Sequence, residues 1–250
     1  MTIFSKRGEK MQYSNQVTLK VSGRRALFCD PLTKMGGEKF SYPIPTYQAL
    51  KGVLESVYWK PTFIWVVDRV CIMKKIQTEA QSVRPIEYNG GNTLAMYTYL
   101  SDVEYVIQAH FEWNENRKDL VCDRNEHKHF LISKRMIEKG GRRDVFLGTR
   151  ECQAYVEPCE FKNSESYYAN SGEISFGMMI HGINYPDETG RDELEVRLWE
   201  PVMKDGVIEF IRPDQCKIVR HLRKSNMCSF SVGVNFSLCD ELYDLEAEGL

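Results

Sequence analysis

Residues 62–73, TFIWVVDRVCIM, narrow the possible folds of this chain more than any other stretch. The run is β-branched and aromatic almost throughout and starts directly after Pro61, so it reads as a buried strand. Just upstream, Pro45 and Thr46 open an amphipathic helix. Thr46 is a suitable cap, and Tyr47, Leu50, Val53, Leu54 and Val57 recur at helical spacing until Pro61 ends the helix.

The neighbouring segments extend this pattern. Gln16–Phe28 alternates, with Val17, Leu19 and Val21 set against Thr18, Lys20 and Ser22, and reads as a first strand. A polar loop, Glu87–Asn92, precedes a strand pair at Leu94–Leu100 and Val103–Trp113. The next helix has Asp123 and Glu126 at capping-box spacing, an apolar face from Phe130, Leu131 and Ile137, and a stop at Gly140-Gly141. Cys152–Phe161 supplies another strand. Strand, helix, strand, strand, helix, strand is the split βαβ, ferredoxin-like (RRM-like) order, so residues 1–162 are expected to form one such α+β domain.

The polar segment Asn163–Gly172 marks a boundary. Beyond it Ile174–Ile183, Leu194–Met203 and Val207–Arg212 read as short strands, the last two joined by an Asp205-Gly206 hairpin turn. Residues 163–222 are therefore expected to form a small antiparallel β-sheet domain. Residues 223–250 carry no clear period, and five acids lie between Asp240 and Glu248 without a base.

At 250 residues, 42% hydrophobic and 27% charged, the chain has ordinary globular composition. The balance of 33 Lys and Arg against 35 Asp and Glu argues against a protein that coats nucleic acid nonspecifically. A local basic groove remains compatible with it, because the charges are unevenly placed. The eight cysteines (Cys29, Cys71, Cys122, Cys152, Cys159, Cys216, Cys228 and Cys239) form no CxxC pair and no zinc-like cluster. They are read as free thiols of a cytoplasmic protein with no metal and no cofactor. The first residues contain no apolar core of signal-peptide length, and no run approaches the roughly 18 apolar residues of a membrane span.

The chemistry concentrates in 123–150, a basic stretch in which His127 and His129 bracket Lys128 and Arg142-Arg143 follow the glycine stop. RNA can be cut without a metal when one group removes the 2′-hydroxyl proton, another protonates the leaving 5′-oxygen and a cation steadies the crowded phosphorane. Histidine suits the proton transfers because its ordinary pKa of about 6.5 leaves both states accessible. Lysine supplies fixed charge. His129, Lys128 and Tyr58 are the candidates for these roles. Each also has a plain structural reading: a Lys-His pair on a helix is ordinarily a solvated face, and Tyr58 ordinarily a core residue. Gly140-Gly141 reads as a helix stop before it reads as a phosphate cradle. There is no GxSxG, HExxH or GxGxxG. His110 reads as structural, His181 as part of a turn, and Asp187, Glu188, Asp192 and Glu193 as a solvated acidic loop.

Several segments together resemble one family: DPLTKMGGEKFSYPIPTYQALKGVLESVYWKP (30–61), VRPIEYNGGNTLAMYTYL (83–100), AHFEWN (109–114), DRNEHKHF (123–130), GGRRDVFLGTRECQAYVEPCEF (140–161) and HGINYPDETG (181–190). They look like the CRISPR-associated protein 5 of type I-C systems, the Dvulg subtype of the repeat-associated mysterious protein superfamily. The resemblance covers roughly residues 15–220. It implies a ferredoxin-like domain with a small C-terminal sheet. It also implies a metal-independent endoribonuclease that cuts precursor CRISPR RNA at the base of each repeat hairpin, leaving a 2′,3′-cyclic phosphate. Such a protein keeps the 5′ handle and joins the other subunits of the type I-C interference complex. The family's catalytic tyrosine and Lys-His pair match Tyr58 in SVYWKP and Lys128-His129 in NEHKHF. His127 departs from the family pattern and offers a second imidazole. Arg24, Arg25, Arg142 and Arg143, with His127, are the residues expected to grip RNA. The rival reading is a non-catalytic scaffold subunit that caps the handle, with double-stranded DNA as an auxiliary ligand of the same basic surface.

Overall fold

The computed structural model describes residues 13–31, 33 and 37–247, with the side chains of 245–247 left aside. The chain opens with β1 (Val17–Ala26), a short β2 (Lys39–Phe40) and α1 (Tyr47–Val57). Next come β3 (Phe63–Ile72), β4 (Thr78–Val83), β5 (Ala95–Trp113) and α2 (Glu126–Glu138). Then follow β6 (Val145–Phe146), β7 (Gln153–Pro158), β8 (Glu173–Ser175), β9 (Met179–Asn184) and a one-turn α3 (Pro186–Thr189). The remainder is β10 (Glu193–Trp199), β11 (Val202–Lys204), β12 (Val207–Glu209), β13 (Ile218–Lys224) and α4 (Cys239–Ala247). Among the described residues no helix is long and apolar enough to cross a membrane.

One sheet runs β6-β7-β1-β5-β3-β12-β11-β8, with β2 and β4 also pairing with β5. All its pairings are antiparallel except β2 with β5. The second sheet is β13-β10-β9. The protein is thus a mixed α+β fold on antiparallel sheets. The hairpin at Asp205-Gly206 forms, but it docks on β3 through Val207–Glu209 and lengthens the large sheet. The small sheet instead recruits β13. His181 lies in β9, buried and stacked on Tyr47 at 4.4 Å, and not in a turn.

Burial explains most elements. Val17, Leu19 and Val21 of β1 point into the core, as their alternation requires. On α1, Thr46 accepts a hydrogen bond from the Ala49 N–H at 3.2 Å, and Tyr47, Leu50, Val53, Leu54 and Val57 are all buried. Each such side chain contributes about 1.5–3 kcal/mol relative to exposure.

Two elements differ from the sequence-based expectation. The expected strand pair at 94–113 is one 19-residue strand, β5. Asp102, at φ 50°, falls where the β1 ladder skips from Val103 to Ser101, so the site absorbs an irregularity and makes no turn. In α2 the buried face is His129, Ile132, Ser133, Met136 and Ile137; of the expected Phe130, Leu131 and Ile137, Ile137 is buried and the other two are half-buried at its edge. Two of those five residues are polar, which blurs the apolar period that sequence reading relies on. The helix cap is Asn125, whose side chain accepts from the Lys128 N–H, and not Asp123.

Leu147 receives the Leu27 N–H at 3.0 Å and so ties the β6–β7 connection to the end of β1. Gly148, at φ 92°, follows, and a Cβ there would sit 2.0 Å from the Leu27 carbonyl oxygen, a backbone atom with no freedom to swing away. Gly148→Ala is expected to cost about 2–4 kcal/mol. Urea unfolding with an unchanged denaturant slope would read it, and a loss under about 0.5 kcal/mol would contradict the packing.

Candidate active site

The C-termini of α1 and α2 are stitched together, and this brings Tyr58 to His129. Gly140 and Gly141, at φ 83° and 111°, close α2 with N–H bonds to Ile137 and Met136 carbonyls at 3.0 and 2.8 Å. That is a Schellman stop, available because glycine tolerates positive φ. The next two amides do not cradle an anion. Arg142 and Arg143 donate them to the Val57 and Ser56 carbonyls at 3.2 and 3.1 Å, satisfying the open end of α1.

Tyr58 leaves α1 in an extended conformation, with its N–H on Leu54 and its carbonyl accepting from the Trp65 indole at 2.8 Å. Its ring is buried and its hydroxyl lies 2.8 Å from His129 Nδ1. His129 is 0% exposed, with the rings of Phe63, Trp113 and Phe111 around it at centroid distances of 5.1, 5.7 and 6.2 Å. Its Nε2 lies 2.7 Å from the Asp123 carbonyl oxygen. A carbonyl can only accept, so Nε2 carries the proton and Nδ1 presents its lone pair to the phenol. Burial holds the His129 pKa below its ordinary value, against the pull of the Asp123 carbonyl and carboxylate.

Lys128 lies on the partly exposed side of α2. Its ammonium sits 2.9 Å from Asp240 Oδ1 and 5.3 Å from the centre of the Tyr243 ring, and the hydrogen bond to Asp240 raises its pKa. His127 is exposed, on a different face of the helix from His129. Arg142 and Arg143 are exposed and, with Trp59, Glu55, Ser56 and Gly52, line a cavity of about 250 Å³ next to Tyr58.

Arg24 and Arg25 lie elsewhere. Arg25 pairs with Ser101 in register, whereas His129 packs on Phe111 and Trp113, roughly 30 Å further along β5. The Arg25 guanidinium is engaged by Glu79 and Gln81.

Asp123, Lys60, Trp59 and Cys239 belong to the site, and sequence reading did not single them out for it. The Asp123 carboxylate accepts from Thr62 Oγ1 at 2.6 Å and from the Cys239 N–H. Lys60 is buried and donates to the Ser237 carbonyl. Candidate ligand atoms of Asp123, His129 and Cys239 lie within 4.8 Å of one another, a set of the kind that binds zinc. Hydrogen bonds occupy these atoms here. The Cys239 thiol lies 3.5 Å from the Asp123 carbonyl oxygen, and burial together with the Asp123 carboxylate pushes its pKa up to about 12. Without a metal the thiol therefore keeps its proton, which a metal would have to displace.

The His129 pKa predicts a pH dependence. The folded state holds the imidazole neutral, whereas the unfolded chain protonates it below about pH 6.5. The unfolded state then binds more protons, so this contribution is complete above that pH and is lost as pH falls below it. The stability advantage of the wild type over His129→Gln should shrink between pH 7 and pH 5 in urea unfolding. A constant or growing difference would contradict a neutral buried ring.

A family described as CRISPR-associated protein (Cas_Cas5) matches residues 17–211. The CRISPR pre-crRNA endoribonuclease Cas5d of Thermus thermophilus is 26% identical over 189 residues, covering 72% of this chain and 78% of the relative. The protein of the same name from Mannheimia succiniciproducens is 26% identical over 224 residues, covering 78% and 95%. A crystal structure described as a CRISPR-associated protein superposes with a TM-score of 0.70 at 42% identity, over 82% of this chain and 96% of its own. A functionally uncharacterized protein from Streptococcus mutans gives 0.68 at 41% identity, with the same coverage.

Proposed function

This chain belongs to the CRISPR-associated Cas5 family, and on that premise we propose that it is the endoribonuclease that cuts precursor CRISPR RNA within the repeat. The 2.8 Å contact between the Tyr58 hydroxyl and His129 Nδ1, one residue from Lys128, carries the reading. Two relatives named as pre-crRNA endoribonucleases support it. The strand order β7-β1-β5-β3, with α1 following β1 and α2 following β5, supports a ferredoxin-like unit within residues 1–162.

Chemically, the phenol passes its proton to Nδ1 as it takes the 2′-hydroxyl proton, so the imidazole acts as base through the tyrosine. The 2′-oxygen forms its bond to phosphorus while the bond to the 5′-oxygen breaks, and water protonates the leaving oxygen. The Lys128 ammonium faces the charge that builds on the non-bridging oxygens. Atoms balance without a metal, and the product ends are a 2′,3′-cyclic phosphate and a 5′-hydroxyl. Trp59, Arg142 and Arg143 border the same corner and supply an aromatic face and two cations for the flanking RNA. Cutting at the base of the repeat hairpin, retention of the 5′ handle and a place in the type I-C interference complex complete the proposal. The full burial of His129 favours the rival reading, a handle-capping scaffold that cuts nothing.

One experiment separates them. Incubated with repeat RNA in chelator, the wild type should cut with cyclic phosphate ends. Tyr58→Phe, Lys128→Ala and His129→Ala should each slow single-turnover cleavage by about 10²–10⁴. Undiminished cutting by the Lys128→Ala, His129→Ala double variant would remove these residues as the catalytic set, and no cutting by the wild type would remove the nuclease assignment. Arg142→Ala and Arg143→Ala should weaken RNA binding and each lower the salt slope by about one. Salt slopes equal to that of the wild type would take both arginines out of the RNA path.

A further inference from the structure

A segment outside the residues matched by the family covers the candidate site. The match ends at residue 211, whereas residues 228–243 run along the cations that surround His129. Arg117 donates to the Cys228 carbonyl at 2.6 Å and lies 4.7 Å from the centre of the Phe230 ring. Phe230 in turn packs against Trp59, with ring centres 6.2 Å apart. Lys60 donates to the Ser237 carbonyl and lies 4.8 Å from the Phe236 ring centre. Lys128 pairs with the Asp240 carboxylate at 2.9 Å, and Tyr243 lies beneath both Lys128 and Arg135, at 5.3 and 4.8 Å. At the centre the Cys239 N–H is on the Asp123 carboxylate, and its thiol lies against the Asp123 carbonyl that holds His129 Nε2.

Each cation thus meets an oxygen acceptor, an aromatic ring, or both. Single-stranded RNA offers the same pairing of groups, with phosphate oxygens for the cations and flat bases for stacking. The segment is also acidic in sequence, with five acids and no base between Asp240 and Glu248. With it in place Asp240 competes with any phosphate for the Lys128 ammonium, and His129 is sealed.

We propose that the C-terminal segment, with α4 at its end, is a built-in RNA mimic: it occupies the RNA path over Lys60, Lys128 and Arg135, and RNA must displace it to reach Tyr58 and His129. This rests on the proposed nuclease reading for its consequence, but the competition itself concerns binding. The segment is tethered, so it competes at a fixed effective concentration, and cutting is restricted to RNA that binds well enough to displace it.

The test uses repeat RNA carrying a 2′-deoxy sugar at the scissile position, so binding is read without cutting. Three proteins are compared: the full chain, a chain ending at Ser237, and the full chain with Asp240→Asn and Tyr243→Ala. Both altered proteins should bind at least about fivefold tighter than the full chain. A synthetic peptide of residues 236–250 should weaken binding to the shortened chain competitively. In the full chain, amides of residues 239–247 should lose hydrogen-exchange protection when the RNA is added. Equal or weaker binding by the altered proteins, with protection of 239–247 unchanged by RNA, overturns the proposal. Should the shortened chain fail to fold, the doubly substituted full chain decides alone. The two readings fail separately. Tighter binding without cutting of normal RNA by any version would sink the nuclease and keep the mimic. Equal cutting and equal binding by all three would keep the nuclease and sink the mimic.

Discussion

The site depends on where one buried imidazole finds its hydrogen bonds. His129 lies in an aromatic core formed by Phe63, Phe111 and Trp113, where an unpaired ring nitrogen costs about 1–3 kcal/mol. The Asp123 carbonyl takes the proton of Nε2 and the Tyr58 hydroxyl meets Nδ1. Those two partners come from the approach to α2 and the exit from α1, so satisfying one ring fixes the relation between two helices. The stitch from Arg142 and Arg143 to the last carbonyls of α1 holds the same relation from the other end of α2. Pre-organisation follows, because the phenol and the imidazole are oriented before any substrate arrives.

That arrangement has a consequence for access. A ring buried well enough to have a fixed tautomer is also out of reach of a phosphodiester. The two lysines beside it, the partly exposed Lys128 and the buried Lys60, are both engaged by the C-terminal segment. Cation, oxygen acceptor and aromatic ring recur along this contact, as cation, phosphate oxygen and base do along a bound RNA strand. The same residues therefore explain a stable closed state and a route to an open one, with the exchange of Asp240 for phosphate on Lys128 as the central step.

How much was legible beforehand follows from the strength of local signals. The first strand and α1 were readable because a single face is buried and every apolar position falls on it. Tyr58 and Lys128-His129 were nameable from chemistry and from resemblance, two sources that agree. The buried face of α2 is legible only in part, at Ile137, because His129 and Ser133 also occupy it and read as solvent-facing. The strand at 95–113 reads as two because Ser101-Asp102 looks like a turn, whereas the β1 ladder resumes on either side of Asp102, at Val103 and Ser101. Of the small sheet, β9 and β10 fall in the expected segments, whereas the docking of β12 on β3 and the recruitment of β13 leave no local mark because they are pairings between distant segments.

By itself the amino-acid order determined the alternation of β1, the apolar face of α1, the glycine stop of α2 and the presence of a phenol, an ammonium and an imidazole. Each of these is set by interactions within a few residues along the chain. Only the tertiary structure decided that Tyr58 and His129 share a hydrogen bond, that Arg24 and Arg25 lie at the far end of the sheet, and that residues 228–243 lie across the site. These depend on contacts between groups separated by tens to more than a hundred positions. Such contacts arise from burial and from the need to pair every buried polar atom, conditions met by the folded whole and not by any segment of it.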